Sequence, residues 1–213
     1  HCNKKGLSDL GVYLVKRMID KKMLIELDHN SADGTVDILD IAEAREYSGV
    51  ITSHSWMHKA KDGALHSQTK RLIQLGGFSS PMNSSTDSIA STISMYLDEV
   101  ETTPYLAGIS FATDMGGLAG QSGPRGDSNI DPLHYPFNSE FGLVFNKQIS
   151  GNRTFDLNGD GLAHYGMVAD HLQDIREQTS DRIYEAVMNS AEAYLQMWER
   201  AESNNNNDFI NPL

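Results

Sequence analysis

At 213 residues, 39% of them hydrophobic, the chain can bury one sizeable core but not two, so a single domain is expected. A formal net charge of -12 argues against nucleic acid and anionic membrane surfaces as partners, because either would require a basic face. The single Cys2 rules out an internal disulfide framework, and no apolar run approaches the length of a membrane span.

The first element expected is a helix over 8–22, SDLGVYLVKRMIDKK, with Ser8 as N-cap and Leu10, Leu14 and Met18 at helical spacing. MLIELD follows as a strand of nearly continuous apolar character, the pattern of a parallel strand buried on both faces. A helix over 33–48 with Val36, Leu39 and Ala42 inward ends at Gly49, and VITSHS begins a second strand. The stretch 66–77 reads as a helix closed by Gly76 and Gly77, followed by a weak strand, FSSPM, that Pro81 ends. A helix over 85–101 carries Ile89, Ile93, Tyr96 and Val100 on one stripe, and LAGISFATD (106–114) reads as a fourth strand. Strands alternating with helices imply a parallel sheet with right-handed crossovers.

The composition then changes. From 115 to 160 the chain is rich in Gly, Pro, Asn and Asp without either period, and reads as one long irregular loop folded over a site. Two helices close the domain, over 165–178 and 181–202, the second with Ile183, Val187, Ala191, Tyr194 and Trp198 as its core stripe. Residues 203–213, beginning SNNNND, are expected to be a flexible tail.

The chemistry concentrates at strand ends. MLIELDH and GVITSH each run apolar and then stop at a histidine, His29 and His54, one helix apart. Carboxyl ends of neighbouring parallel strands share a rim, so two imidazoles there can converge on a metal. The competing reading of each is a core strand capped by a histidine bonded to a loop. Asp114 ends the fourth strand at the same rim, and Glu26 and Asp28, on the phase opposite to His29, suit partners of the ligands rather than ligands. DLNGDG (156–161) matches the opening of a calcium loop, but its twelfth position is Met167, which leaves a plain Asn/Gly turn as the other reading. His164, just past it, would line the site mouth or pack on Tyr165.

GLSDLGVYLVKRM, MLIELDH, ITSHS, LGGFSS and GISFATDMGG, in that order, resemble the carboxyl-terminal half of the membrane (renal) dipeptidase family of the metal-dependent amidohydrolase superfamily. The closing segments GLAHYGMVADHLQDIREQ and NSAEAYLQMWER look more like a bacterial dipeptidase-like branch. The resemblance implies a (β/α)8 TIM-barrel fold, of which residues 1–202 would be the carboxyl-terminal half: about four parallel strands plus C-terminal helices. It also implies that His29 and His54 bind one zinc of a one- or two-ion centre and that Asp114 shuttles a proton. The function implied is metal-dependent hydrolysis of an amide or peptide-like bond by zinc-activated water.

Two departures accompany the resemblance. The family's remaining ligands, a His-x-Asp pair and a bridging Glu, would lie before His1, so the expected partner is a missing amino-terminal half of the barrel. The chain opens at His1 with no initiator Met and no signal-like segment, as a piece of something longer would. Where the dipeptidases place an arginine after the second histidine, this chain has Lys59 and Lys61, which cannot form a bidentate clamp on a substrate carboxylate. Arg125, in the loop after Asp114, is the replacement candidate. A non-catalytic barrel-derived binding or structural domain is the alternative function.

Overall fold

The computed structural model describes residues 5–54, 67–81, 86–113, 123–124 and 131–204, with the backbone alone for 87 and 88. Its first half alternates helix and strand: α1 (Asp9–Asp20), β1 (Ile25–Glu26), α2 (Ala32–Ala44), β2 (Val50–Thr52), α3 (Ser67–Gln74), β3 (Phe78–Ser79) and α4 (Thr86–Val100). The strands form one parallel sheet in the order β1-β2-β3, with Ile25 opposite Val50 and Ile51 opposite Phe78. This is a mixed α/β arrangement with an open sheet. The expected fourth strand is an extended segment whose Ser110 and Ala112 N–H groups donate to the Ser79 and Pro81 carbonyls, at 3.3 and 2.8 Å, continuing the parallel sense beyond β3.

Local signals explain most boundaries. The Ser8 hydroxyl accepts from the Gly11 N–H and opens α1, and the Ser31 hydroxyl does the same for α2 from Gly34. At the end of α3, Gly76 adopts φ +75° while the Gly77 N–H reaches back to the Leu72 carbonyl, the Schellman closure that a Gly-Gly pair favours.

Strand alternation sends side chains into two layers. Ile25, Leu27 and Val50 join Val15 and Ile19 of α1, Leu39 and Ala42 of α2, Leu72 and Ile73 of α3, and Ile89 and Ile93 of α4 in the main core. The opposite phase, Leu24, Ile51, Phe78 and Leu106, meets Ala193, Tyr194 and Met197 of α8 (Ser190–Ser203). That helix therefore covers part of the sheet face that an open half-barrel would leave bare.

Several expectations are corrected. In α1 the buried residues are Val15 and Ile19, whereas Leu10 and Leu14 are 74% and 57% exposed; the helix is turned so that the next stripe round faces the core. The stretch 115–160 is not one irregular loop: within its described part lie two antiparallel hairpins, β4 (Phe137–Asn138) with β5 (Val144–Phe145) and β6 (Gln148–Ser150) with β7 (Arg153–Phe155), then α5 (Leu157–Asp160). Leu133, Phe137, Leu157, Leu162 and Met167 give this unit a small core of its own.

The closing segment is α6 (Val168–Gln178), preceded by a 3-10 turn at Tyr165–Met167, then α7 (Asp181–Met188) and α8. The single helix expected over 181–202 breaks at Asn189. A Cβ on Gly108 would stand 2.5 Å from the Ala193 Cβ and 2.6 Å from the Asn189 carbonyl oxygen, so the break lies against the fourth extended segment, where only a glycine fits. The break shifts the buried stripe of α8 to Ala193, Met197 and Ala201, and leaves Trp198 44% exposed. The expected tail is anchored at its start: Ser203 ends α8, and the Asn204 amide donates to the Arg45 and Glu46 carbonyls at 3.0 and 2.9 Å.

Candidate functional site

The site is built on two turns that follow adjacent strands. After β1 the chain passes through buried Leu27 and turns at 28–30, where the Asn30 side-chain amide donates to the Glu26 and Leu27 carbonyls, both at 3.2 Å. His29 sits in the left-handed region at φ +64°, a conformation that costs a residue bearing a Cβ roughly 1–2 kcal/mol. Strain of this kind persists where surrounding contacts over-determine it. After β2, Ser53 and His54 form the facing turn.

The two rings meet edge to edge. His54 Nε2 lies 2.6 Å from His29 Nε2, with ring centroids 4.6 Å apart and planes inclined at 41°. Behind His54, its Nδ1 faces Asp28 Oδ2 at 3.3 Å and the Ser53 hydroxyl at 2.9 Å. Acceptors on that side favour a proton on Nδ1 and turn the Nε2 lone pair toward His29. The Asp28 side chain is fully buried, and Oδ2 also accepts the His54 backbone N–H at 2.9 Å. Glu26 Oε1 accepts two further backbone N–H groups, Asp28 at 2.9 Å and Ser53 at 3.2 Å.

Imidazole nitrogens are donors that a divalent metal takes. Two nitrogens bound at about 2.0–2.1 Å to one tetrahedral ion stand a little over 3 Å apart, so the rings would have to part by several tenths of an ångström. His29 is exposed and His54 half-buried, which leaves the pair open to solvent. Among the described residues no third His, Cys, Asp or Glu completes a metal-binding group. Asp114 and Arg125 lie outside the described residues, as do His58, Lys59, Lys61 and His66.

His164 stands apart from this pair. Its Nδ1 accepts the Gly166 N–H at 3.1 Å to cap the 3-10 turn, and its ring stands edge-on to Phe155 at 4.5 Å. The neighbouring DLNGDG segment turns its carboxylates on its own backbone and on cationic side chains. Asp156 accepts the Asn158 N–H and pairs with Lys147, while Asp160 accepts the Asp156 N–H at 2.8 Å and the Arg153 guanidinium at 2.6 Å. Those bonds hold the Asp160 carboxyl below its ordinary value; at Asp156 burial pushes upward, but Lys147 and Asn158 outweigh it. The segment is thus a capped helical turn.

A polar cluster that the sequence reading did not single out lies on α6. Asp170, His171 and Asp174 are all buried. Asp170 Oδ1 accepts the Tyr135 hydroxyl at 2.5 Å, Asp174 accepts from the Thr86 hydroxyl, and His171 packs edge-on against Phe111. Burial pushes His171 down to about 4 and lifts Asp170 above the usual carboxylate range, the latter opposed by Tyr135. The available signal was VADHLQDIRE itself, in which charged residues occupy inward positions.

No protein-family model and no curated protein matches this chain. Among solved structures, the chain is similar to an amidohydrolase from Pseudomonas aeruginosa, with a TM-score of 0.51 and 16% identity over 92% of this chain. The match spans 57% of that amidohydrolase's length. The likeness is one of fold: a mixed α/β chain with parallel strands, arranged as in an amidohydrolase.

Proposed function

We propose that this chain is the carboxyl-terminal part of a metal-dependent hydrolase of the dipeptidase-like barrel group, acting on an amide or peptide-like bond. The observation that supports this reading is the convergence of His29 and His54, Nε2 to Nε2, at the carboxyl ends of adjacent parallel strands, with Asp28 behind His54. In this reading His29 and His54 hold a zinc ion, which would lower the pKa of a water to about 7 and polarise a carbonyl. Asp28 keeps the His54 proton on Nδ1. Asp114, which follows the described segment in sequence, would accept the proton of the attacking water and return it to the leaving group. Arg125 is the candidate for holding the polar end of the substrate; His164, engaged with Gly166 and Phe155, is not. The remaining strands of the (β/α)8 barrel, and any further ligands, would come from an amino-terminal half.

Metal analysis tests the proposal. The chain, purified with zinc present and then desalted, should retain close to one equivalent, and the His29→Ala/His54→Ala double variant should retain none. A metal-free wild-type chain would instead favour a barrel-derived binding or structural domain.

A further inference from the structure

We infer that Glu26 is a positioning residue of the proposed metal centre, a brace that joins the two histidine-bearing turns beyond the point where the sheet ends. The inference rests on the functional reading above and assigns Glu26 no contact with metal or substrate.

The argument begins with an anomaly in the sheet. On the phase to which Glu26 belongs, Leu24, Ile51, Phe78 and Leu106 are apolar and pack towards α8. A half-buried carboxylate in that row needs compensating hydrogen bonds. Its acceptor capacity goes to two backbone N–H groups, one from each turn: Asp28 on its own strand and Ser53 across the sheet, both on Oε1. Those groups lie past the last ladder bond between the strands, from the Leu27 N–H to the Ile51 carbonyl. The carboxylate therefore does for the turns what the ladder does for the strands.

Asp28 completes the brace. Held at its N–H by Glu26, it accepts the His54 N–H and faces His54 Nδ1. Glu26 thus fixes Asp28 and Ser53, and through them the backbone and the ring of His54. His29 follows Asp28 directly and is held in the left-handed region. Without Glu26 the strands would remain paired, but the spacing of the rings would no longer be enforced.

Cobalt(II) titration of the full chain, followed by its visible ligand-field absorption, tests this. The wild type should bind, His29→Ala/His54→Ala should not, and Glu26→Ala should bind about 10- to 100-fold more weakly, the range found when partners of metal ligands are removed. Glu26→Gln keeps an acceptor oxygen at the same reach and should bind within a few-fold of wild type, which separates bracing from loss of fold. Wild-type affinity in Glu26→Ala, with the histidine variant still defective, overturns the brace and leaves the metal centre standing. So does equal weakening in Glu26→Gln and Glu26→Ala. Failure of the wild type to bind, or binding by the double histidine variant, removes the metal centre and the brace together.

Discussion

His171 makes a quantitative prediction about acid stability. The residue is 2% exposed, its ring stands edge-on to Phe111 with centroids 5.1 Å apart, and its buried Nε2 has no hydrogen-bond partner among the described residues. Burial disfavours the imidazolium and pushes the folded-state pKa down to about 4 from 6.5. Between those values the unfolded chain takes up a proton that the folded chain refuses, so stability falls as pH falls. At 1.36 kcal/mol per unit, the full window is worth about 3 kcal/mol, and about 2 kcal/mol is lost between pH 7 and pH 5. Asp170 acts in the other direction, because its raised folded-state pKa adds stability as pH falls, and the net slope of the wild type is a sum of both. The test is therefore a difference. Urea denaturation of wild type and His171→Leu at the two pH values should show the wild type losing about 2 kcal/mol more than the variant. Equal losses in the two proteins would refute the reasoning.

Three further outcomes follow from packing and backbone geometry. Gly108→Ala forces a Cβ against Ala193 and the Asn189 carbonyl and should cost about 1–3 kcal/mol in chemical denaturation; an unchanged midpoint would mean that α8 can move aside. Asp20→Ala removes the carboxylate that pairs with the buried guanidinium of Arg45 at 2.7 Å and should lower stability by about 3 kcal/mol or more. That value would drop to the surface-pair range if Arg45 turned out to solvent instead. His29→Gly should be more stable than His29→Ala by about 1 kcal/mol, because only the alanine keeps a Cβ at φ +64°. Both variants should lose metal retention, and a more stable alanine variant would contradict the strained turn.

Much of the first half of the fold was legible because each element advertises its own ends. Ser8 caps α1, Gly76 closes α3, and the stripe Ile89, Ile93, Tyr96 and Val100 is the buried face of α4. The strand-end histidines were legible for the same reason: an apolar run that stops at an imidazole leaves few places for the ring to go. Failures came where neighbours override local pattern. Leu10 and Leu14 match a helical stripe as well as Val15 and Ile19 do, and only the packing partners decide between them. The break at Asn189 depends on a glycine some eighty positions earlier, a relation that no window along the chain contains. The hairpins over 137–155 were hidden because their strands are two or three residues long and mostly exposed, so turn residues dominate the composition. The polar face of α6 makes sense only once Tyr135 and Thr86 are seen to serve it.

The pairing of Ile25 with Val50 also determines which changes of length the protein can absorb. Counted from that rung, each histidine comes four residues later, so the two arms climb the same number of steps before they meet. Inserting or deleting one residue in either arm would reverse the outlook of everything above it and carry one ring away from the other. Extra chain added within the crossovers, after the histidines, leaves the count untouched. Homologues of this chain should therefore differ in length between the arms and keep both arms at constant length.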